Sequence, residues 1–273
     1  MVTARTSAAI RYLLAGLILV IMLFPLAWMF RVAFMSPGSS ISISHFFAGD
    51  FTLANFGDLF SRGNIARYLF NSVLVAVVVT AGNLLFCFMV AYVLARSRSL
   101  FSKAMFASVV LVLMIPAHIL IVPFYVLMFK THLYDTYWAL ILPWLVYPIG
   151  IFLVKQYIEA IPPSMEEAAR IDGAGEMRIL LTVVMPLCKP ILAVLAIQVF
   201  FTNWNSFLFP FILTSSEHLR TLPVGLAHYQ GHQAIDWQHL MAGSSLAVVP
   251  VLILFGFMQK QIVSGITAGG IKQ

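Results

Sequence analysis

The sequence predicts an all-α integral membrane protein with six transmembrane helices, and three observations carry that prediction. Of 273 residues, 61% are hydrophobic and only 10% charged, whereas a soluble domain carries about 25% charged residues. The apolar residues gather into long blocks instead of alternating with polar ones, and Lys and Arg flank those blocks. A hydrocarbon core about 30 Å thick takes roughly 20 apolar residues per helix, because every backbone N–H and C=O must be paired within the span.

The blocks near 12–34, 68–95, 104–129, 136–156, 190–213 and 240–260 are the six spans of one transmembrane domain, residues 1–273. Apart from Arg31 and Lys155 near span ends and Lys260 at the last boundary, they hold no Lys, Arg, Asp or Glu. One such residue at a helix centre costs about 2.5–3.5 kcal/mol on insertion scales. Arg5 and Arg11 precede the first block as they would a secretory signal. Its apolar run exceeds the roughly 7–15 residues of a signal core, contains Pro25 and Trp28 and offers no small-x-small cleavage site, so it is expected to stay attached.

The net charge is +6. The basic residues form no stripe with interleaved aromatics, which argues against nucleic acid as a partner. They report topology instead. Arg5, Arg11, Arg96, Arg98, Lys103, Lys155, Arg170, Arg178, Lys189, Lys260 and Lys272 fall on one side, against Arg31, Arg62, Arg67, Lys130 and Arg220 on the other. Both termini are thus expected in the cytoplasm, with outer segments near 35–67, 130–135 and 214–239 and a large inner segment at 157–189. Cys87 and Cys188 lie in different blocks and are not expected to form a disulfide.

The inner segment contains Ile161-Pro162-Pro163-Ser164-Met165-Glu166-Glu167-Ala168-Ala169-Arg170-Ile171-Asp172-Gly173-Ala174-Gly175. Ser164 and Glu167 have the spacing of a capping box, which predicts a short helix starting at Ser164. Good helix formers run to Asp172, and Gly173 stands where a left-handed residue ends a helix. A second helix from about Gly175 leads to Met185-Pro186-Leu187 and the fifth span. Read from the residues alone, this is equally a solvated connector.

Glu167-Ala168-Ala169, then Gly173 after three intervening residues, then Val183-Val184-Met185-Pro186 after nine more, resemble the EAA loop of ABC import permeases, with Val183 in place of Ile and Met185 in place of Leu. Two further stretches resemble the maltose-type, carbohydrate branch of that family: Trp204-Asn205-Ser206-Phe207-Leu208-Phe209-Pro210, and the ending Gln259 to Lys272. The resemblance implies a coupling helix between spans four and five that docks on an ATP-hydrolysing subunit, with Glu166, Glu167, Ala168, Ala169, Asp172, Gly173 and Ala174 as the coupling set. It implies two ATP-binding subunits, a second and different permease subunit, and an external solute-binding protein. The setting it implies is a bacterial or archaeal cytoplasmic (inner) membrane. The solute class it implies is a sugar, oligosaccharide or related polyol. The chain lacks G-x-x-x-x-G-K-[ST], so no cofactor is expected in it, and ATP and Mg belong to the partner ATPase.

Gln198, Thr202 and Asn205 recur at i, i+4 and i+7, with Ser206 adjacent, as an uncharged polar stripe on the fifth span. Such groups suit a neutral polyhydroxy solute lining a pathway; they equally serve as hydrogen-bonding links between helices. Two other readings exist. A glycerophosphate-like or amino-acid permease would use the same architecture. A membrane metalloenzyme would draw on His228, His232, Asp236 and His239, but Gly231 interrupts the i, i+4 histidine pair and no Glu follows the first His. A secondary transporter would place a charge at the midplane, and the spans have none.

Overall fold

In lipid a chain is forced into helices, and among the described residues the computed structural model contains helix, turn and loop but no strand. It describes residues 2–42, 47, 49–61, 63–230 and 235–270. Arg62, His232 and the side chains of Arg5 and of the 259–272 motif lie outside the described residues.

Among the described residues four helical stretches are long and apolar enough to cross a membrane, and up to six if each of two bent pairs, Leu100–Leu113 with Ala117–Lys130 and Glu176–Leu187 with Lys189–Trp204, is one span. The helix α1 (Val2–Ala33) and the helix α2 (Ala54–Ser61) come first, followed by α3 (Ile65–Arg96). The predicted third span is not continuous. It is α4 (Leu100–Leu113) and a second half running from Ala117 to Lys130, bent by 95°. Pro116 is the cause: it has no N–H to give, and it pushes Ile115 out of helical geometry. The predicted fourth span is α5 (Tyr137–Ile141) and α6 (Pro148–Glu159), interrupted just before Pro148. Span five also departs from expectation. The helix α7 (Lys189–Trp204) stops at Asn205 and resumes as α8 (Leu208–Leu213). The last helix, α9, runs Trp237–Gly270.

The chain divides into two compact units, residues 1–66 with 225–250 and residues 67–224 with 251–273. In the first, the buried Asn55 donates to the carbonyls of Ala33 and Met35 at 2.8 and 2.7 Å, satisfying the frayed end of α1. Arg31 donates to the Gly49 carbonyl at 2.7 Å and lies 4.4 Å from the centre of the Phe51 ring.

In the second unit α3 is the axis. Two fully buried amides in it, Asn71 and Asn83, reach backbone carbonyls of other segments. Asn71 donates to His218 and Arg220, both at 2.8 Å, and accepts from the Tyr137 hydroxyl at 2.7 Å. Asn83 donates to Trp144 at 3.0 Å. Helices approach closely at Gly150, where an added Cβ would sit 3.0 Å from Leu195 and 3.2 Å from the Cys87 sulfur. The charge of Lys155 in span four is accommodated in place: its ammonium lies 2.7 Å from Glu159 and 4.0 Å from the centre of the Phe106 ring.

Asp135 fastens two loops of this unit. It sits at φ 59, a left-handed conformation that Asp tolerates. Its carboxylate accepts the backbone N–H groups of Ser215 and Ser216, both at 2.9 Å, and the Ser216 hydroxyl. Partial burial, which raises its pKa, is outweighed by these bonds from Ser216 and Ser215, and the net shift is downward. A depressed folded-state pKa stabilises above the ordinary carboxylate range and is lost as pH falls through the folded value. Asp135→Ala is therefore expected to cost about 1–2 kcal/mol at pH 7. Thermal unfolding of the purified protein should show that gap narrowing below about pH 4; a gap independent of pH would contradict the assignment.

Candidate functional site

The 157–189 segment contains α10 (Ser164–Ile171) and α11 (Glu176–Leu187). Gly173 has φ +81, and the Gly173 and Ala174 N–H groups return to the carbonyls of Arg170 and Ala169, both at 3.0 Å. This is the Schellman end that the sequence predicts. The start differs. Pro163 itself takes helical angles, φ −58 and ψ −27, and no side chain caps the helix. Ser164 thus lies inside the first turn and the Ser164–Glu167 capping box does not form. In α11 the turn Leu180–Val184 widens to π-helix, where Pro186 cannot supply the N–H that a regular turn would direct at Thr182.

Of the two adjacent glutamates, Glu166 is the buried one, at 2% exposure. Its carboxylate accepts from Arg96 Nε at 2.7 Å and from the Tyr92 hydroxyl at 3.0 Å. Arg96 also donates to the Ile161 carbonyl at 3.0 Å. Both partners stand on the last turns of α3. Across the Gly173 turn, Arg170 holds Glu176 with two bonds, at 2.9 and 3.2 Å. The bond to Arg170 keeps the Glu176 carboxyl below its usual range, so this clasp persists at neutral pH and opens only in acid. Arg96, Tyr92 and Glu176 are not readable as site residues from the sequence.

The remaining members of the predicted set divide, with Ala169 and Ala174 packed against the core. Glu167, Ala168, Asp172 and Gly173 are exposed, and Ala169 and Ala174 are half-buried. Beside them Met165 and Ile171 are exposed, Ile171 to 86%.

The polar stripe on α7 divides. Thr202, Asn205 and Ser206 line a cavity of about 390 Å³, together with His118, Trp144 and Phe209; Gln198 is not in its wall. Thr202 donates to the Gln198 carbonyl at 2.8 Å and Asn205 to the Phe201 carbonyl at 3.0 Å. The Thr202 hydroxyl and one Asn205 N–H are spent within their own helix, which leaves the second Asn205 N–H as a donor and the Asn205 and Thr202 oxygens as acceptors at the cavity wall. The Trp144 and Phe209 rings meet edge-on with centres 4.7 Å apart. These aromatics come from three segments broken by Pro116, Pro148 and Pro210, and the prolines are the signal that could have located them.

His239 lies 2.7 Å from Asp236 through Nδ1 and 3.6 Å from Asp58 through Nε2. The two carboxylates sit on opposite ring nitrogens and cannot share one ion with it. Among the described residues no three His, Cys, Asp or Glu side chains are placed to hold a metal.

Residues 87–268 match the binding-protein-dependent transport system inner membrane component family, and the chain belongs to it. It is 39% identical over 81% of its length to the arabinooligosaccharides transport system permease protein of Halalkalibacterium halodurans, covering 80% of that protein. With the sulfoquinovosyl glycerol transport system permease protein of Agrobacterium fabrum it shares 35% identity, over 96% of this chain and 93% of the relative. The trehalose/maltose transport system permease protein of Thermococcus litoralis is 32% identical, over 94% of each chain. The fold matches a chain of a bacterial ABC transporter involved in the import of the acidic polysaccharide alginate, with a TM-score of 0.82 and 22% identity, over 94% of this chain and 97% of that one.

If the Arg96–Glu166 pair pins α10 to α3, removing one partner leaves the other buried and unpaired, a loss of up to about 3–5 kcal/mol that the partial exposure of Arg96 reduces. Glu166→Ala should speed tryptic cleavage at Arg170 and Arg178 in inverted vesicles several-fold. Arg96→Ala combined with Glu166→Ala should be less damaged than the two single effects added; strict additivity would show the pair to be energetically idle.

Proposed function

We propose that the chain is one of two different permease subunits of an ATP-driven importer for a sugar, oligosaccharide or related polyol, and that α10 is its coupling helix. In this reading six spans cross the cytoplasmic membrane, Leu100–Leu113 with Ala117–Lys130 counting as one and Lys189–Trp204 with Leu208–Leu213 as another, with both termini inside. The loop at 157–189 then faces two ATPase subunits, which bind the ATP and Mg, and the outer loops face a solute-binding protein.

One observation carries the coupling role. The helix α10 is anchored on its inner face by a buried charge, yet it presents Met165, Ala168 and Ile171 outward beside Glu167. An apolar knob with a charged rim, held rigidly and left uncovered, is the chemistry of a helix that seats in a groove; burying Ile171 there is favourable by about 1.5–3 kcal/mol.

Uncharged acceptors and aromatic faces around the 390 Å³ cavity support a polyhydroxy solute. The relatives named for arabinooligosaccharides, trehalose/maltose and sulfoquinovosyl glycerol support the same class.

Gly173→Val tests the coupling role. Nothing lies within 4 Å of a Cβ built there, so the substitution acts only through the positive φ, at about 1–3 kcal/mol. Glu167→Lys places a positive charge at the positive end of α10. Both variants should insert normally but lose most solute uptake and binding-protein-stimulated ATPase activity in reconstituted membranes. Near wild-type transport by both would reduce α10 to a connector.

For the pathway, Asn205→Ala should lower uptake or alter the accepted solute while the amount of assembled complex stays constant. Unchanged transport kinetics would remove Asn205 from the pathway.

A further inference from the structure

A second cavity, of about 630 Å³, opens where the ends of α3 and α6 meet the first turns of α4 and the inner face of α10. Its wall carries five cationic side chains, Arg96, Arg98, Lys103, Lys155 and Arg170, against two carboxylates, Glu159 and Glu166. The pairing is specific. Arg96 is engaged by Glu166, Lys155 by Glu159 and Arg170 by Glu176. That leaves Arg98 and Lys103, both exposed and without an acidic partner among the described residues.

The cavity also has a hydroxyl in place. Ser97 donates to Ser99 at 3.1 Å and Ser99 to Ser102 at 3.0 Å. Ser102 lines the cavity and is only 5% exposed, and its O–H is available to an acceptor inside. The volume is that of a small-molecule site, and two unpaired cations beside a buried hydroxyl are suited to a phosphate.

What decides the source of the phosphate is the surface beside it. Phe101 and Met105 flank the Ser102–Phe106 stripe of α4. Leu100 and Phe101 are 83% and 71% exposed, and Met105 is exposed as well. A free anion gains nothing from these side chains, whereas an amphiphile gains from both parts. Basic pockets between membrane helices on the inner side are also where anionic headgroups collect.

We propose that this cavity holds the phosphate headgroup of an anionic phospholipid, with its acyl chains against Leu100, Phe101 and Met105. The proposal rests on the inner-face assignment of the 96–103 loop made above. Because Arg96, Glu166 and Arg170 belong both to the cavity wall and to the anchorage of α10, the lipid would sit directly behind the docking helix.

The test uses the chain purified in detergent with the subunits it assembles with, stripped of lipid and titrated by native mass spectrometry. The probes are phosphatidylglycerol, phosphatidylcholine and inorganic phosphate. Wild type should retain phosphatidylglycerol in preference to phosphatidylcholine. Arg98→Gln with Lys103→Gln should weaken that retention roughly thirty-fold, from about 1 kcal/mol per basic residue near the surface. Phe101→Ser should weaken phosphatidylglycerol without altering any response to phosphate. Equal retention by wild type and the double variant, or equal retention of phosphatidylcholine, overturns the proposal. Displacement of the lipid by comparable concentrations of inorganic phosphate overturns it in favour of a free-anion site, and loss of an ATPase subunit from the double variant overturns it in favour of a protein contact. If wild type purifies with no ATPase subunit, the transport reading fails while the lipid titration still reads the cavity.

Discussion

The arrangement of the 157–189 segment depends on one buried carboxylate. A charge taken out of water costs several kcal/mol unless it is paired and hydrogen-bonded, and Glu166 meets that condition only because Arg96 and Tyr92 occupy successive turns at the end of α3. The orientation of α10 is thereby tied to the orientation of a membrane helix. Arg96 extends the tie to the Ile161 carbonyl, at the point where the chain leaves α6. Arg170 and Glu176 extend it across the Gly173 turn into α11. The helix α10 is thus fastened at once to the end of α3, to the exit of α6 and to the start of α11.

Much of this was legible in the residues, and what was not has identifiable causes. The ends of the apolar blocks and the Gly173 stop follow from local rules, since a hydrocarbon slab and a left-handed C′ position each impose their requirement on a few consecutive residues. The choice between Glu166 and Glu167 does not. They are neighbours of identical chemistry about 100° apart on a helix of eight residues, too short for periodicity to mark an inner face. The deciding partner, Arg96, lies 70 residues away. The capping box failed for a different reason: Pro163 adopts helical angles itself, which moves the helix start one residue earlier and leaves Ser164 nothing to cap.

Hydropathy also misses bends. Residues 104–129 and 190–213 average to clean spans, but average composition carries no information about a missing N–H. Pro116 folds the first of these by 95°, and the second stops at Asn205 before Pro210. The breaks are where the structure opens. His118, Trp144 and Phe209 approach Thr202 and Asn205 because three segments stop being regular helices around one cavity.

The bend at Pro116 has a consequence for the membrane itself. The helix α4 has 14 residues, which at 1.5 Å per residue reaches about 21 Å, against about 30 Å of hydrocarbon. Its continuation turns nearly at right angles and adds little along the same direction. Set along the bilayer normal, α4 alone would leave about 9 Å of acyl-chain thickness unmatched, to be closed by local thinning or by apolar surface packed beside it. Thinning costs fractions of a kcal/mol per Å, so wherever lipid borders α4 the length of the surrounding acyl chains becomes a term in the energetics of the assembly, and membranes of different thickness will not be equivalent hosts for it.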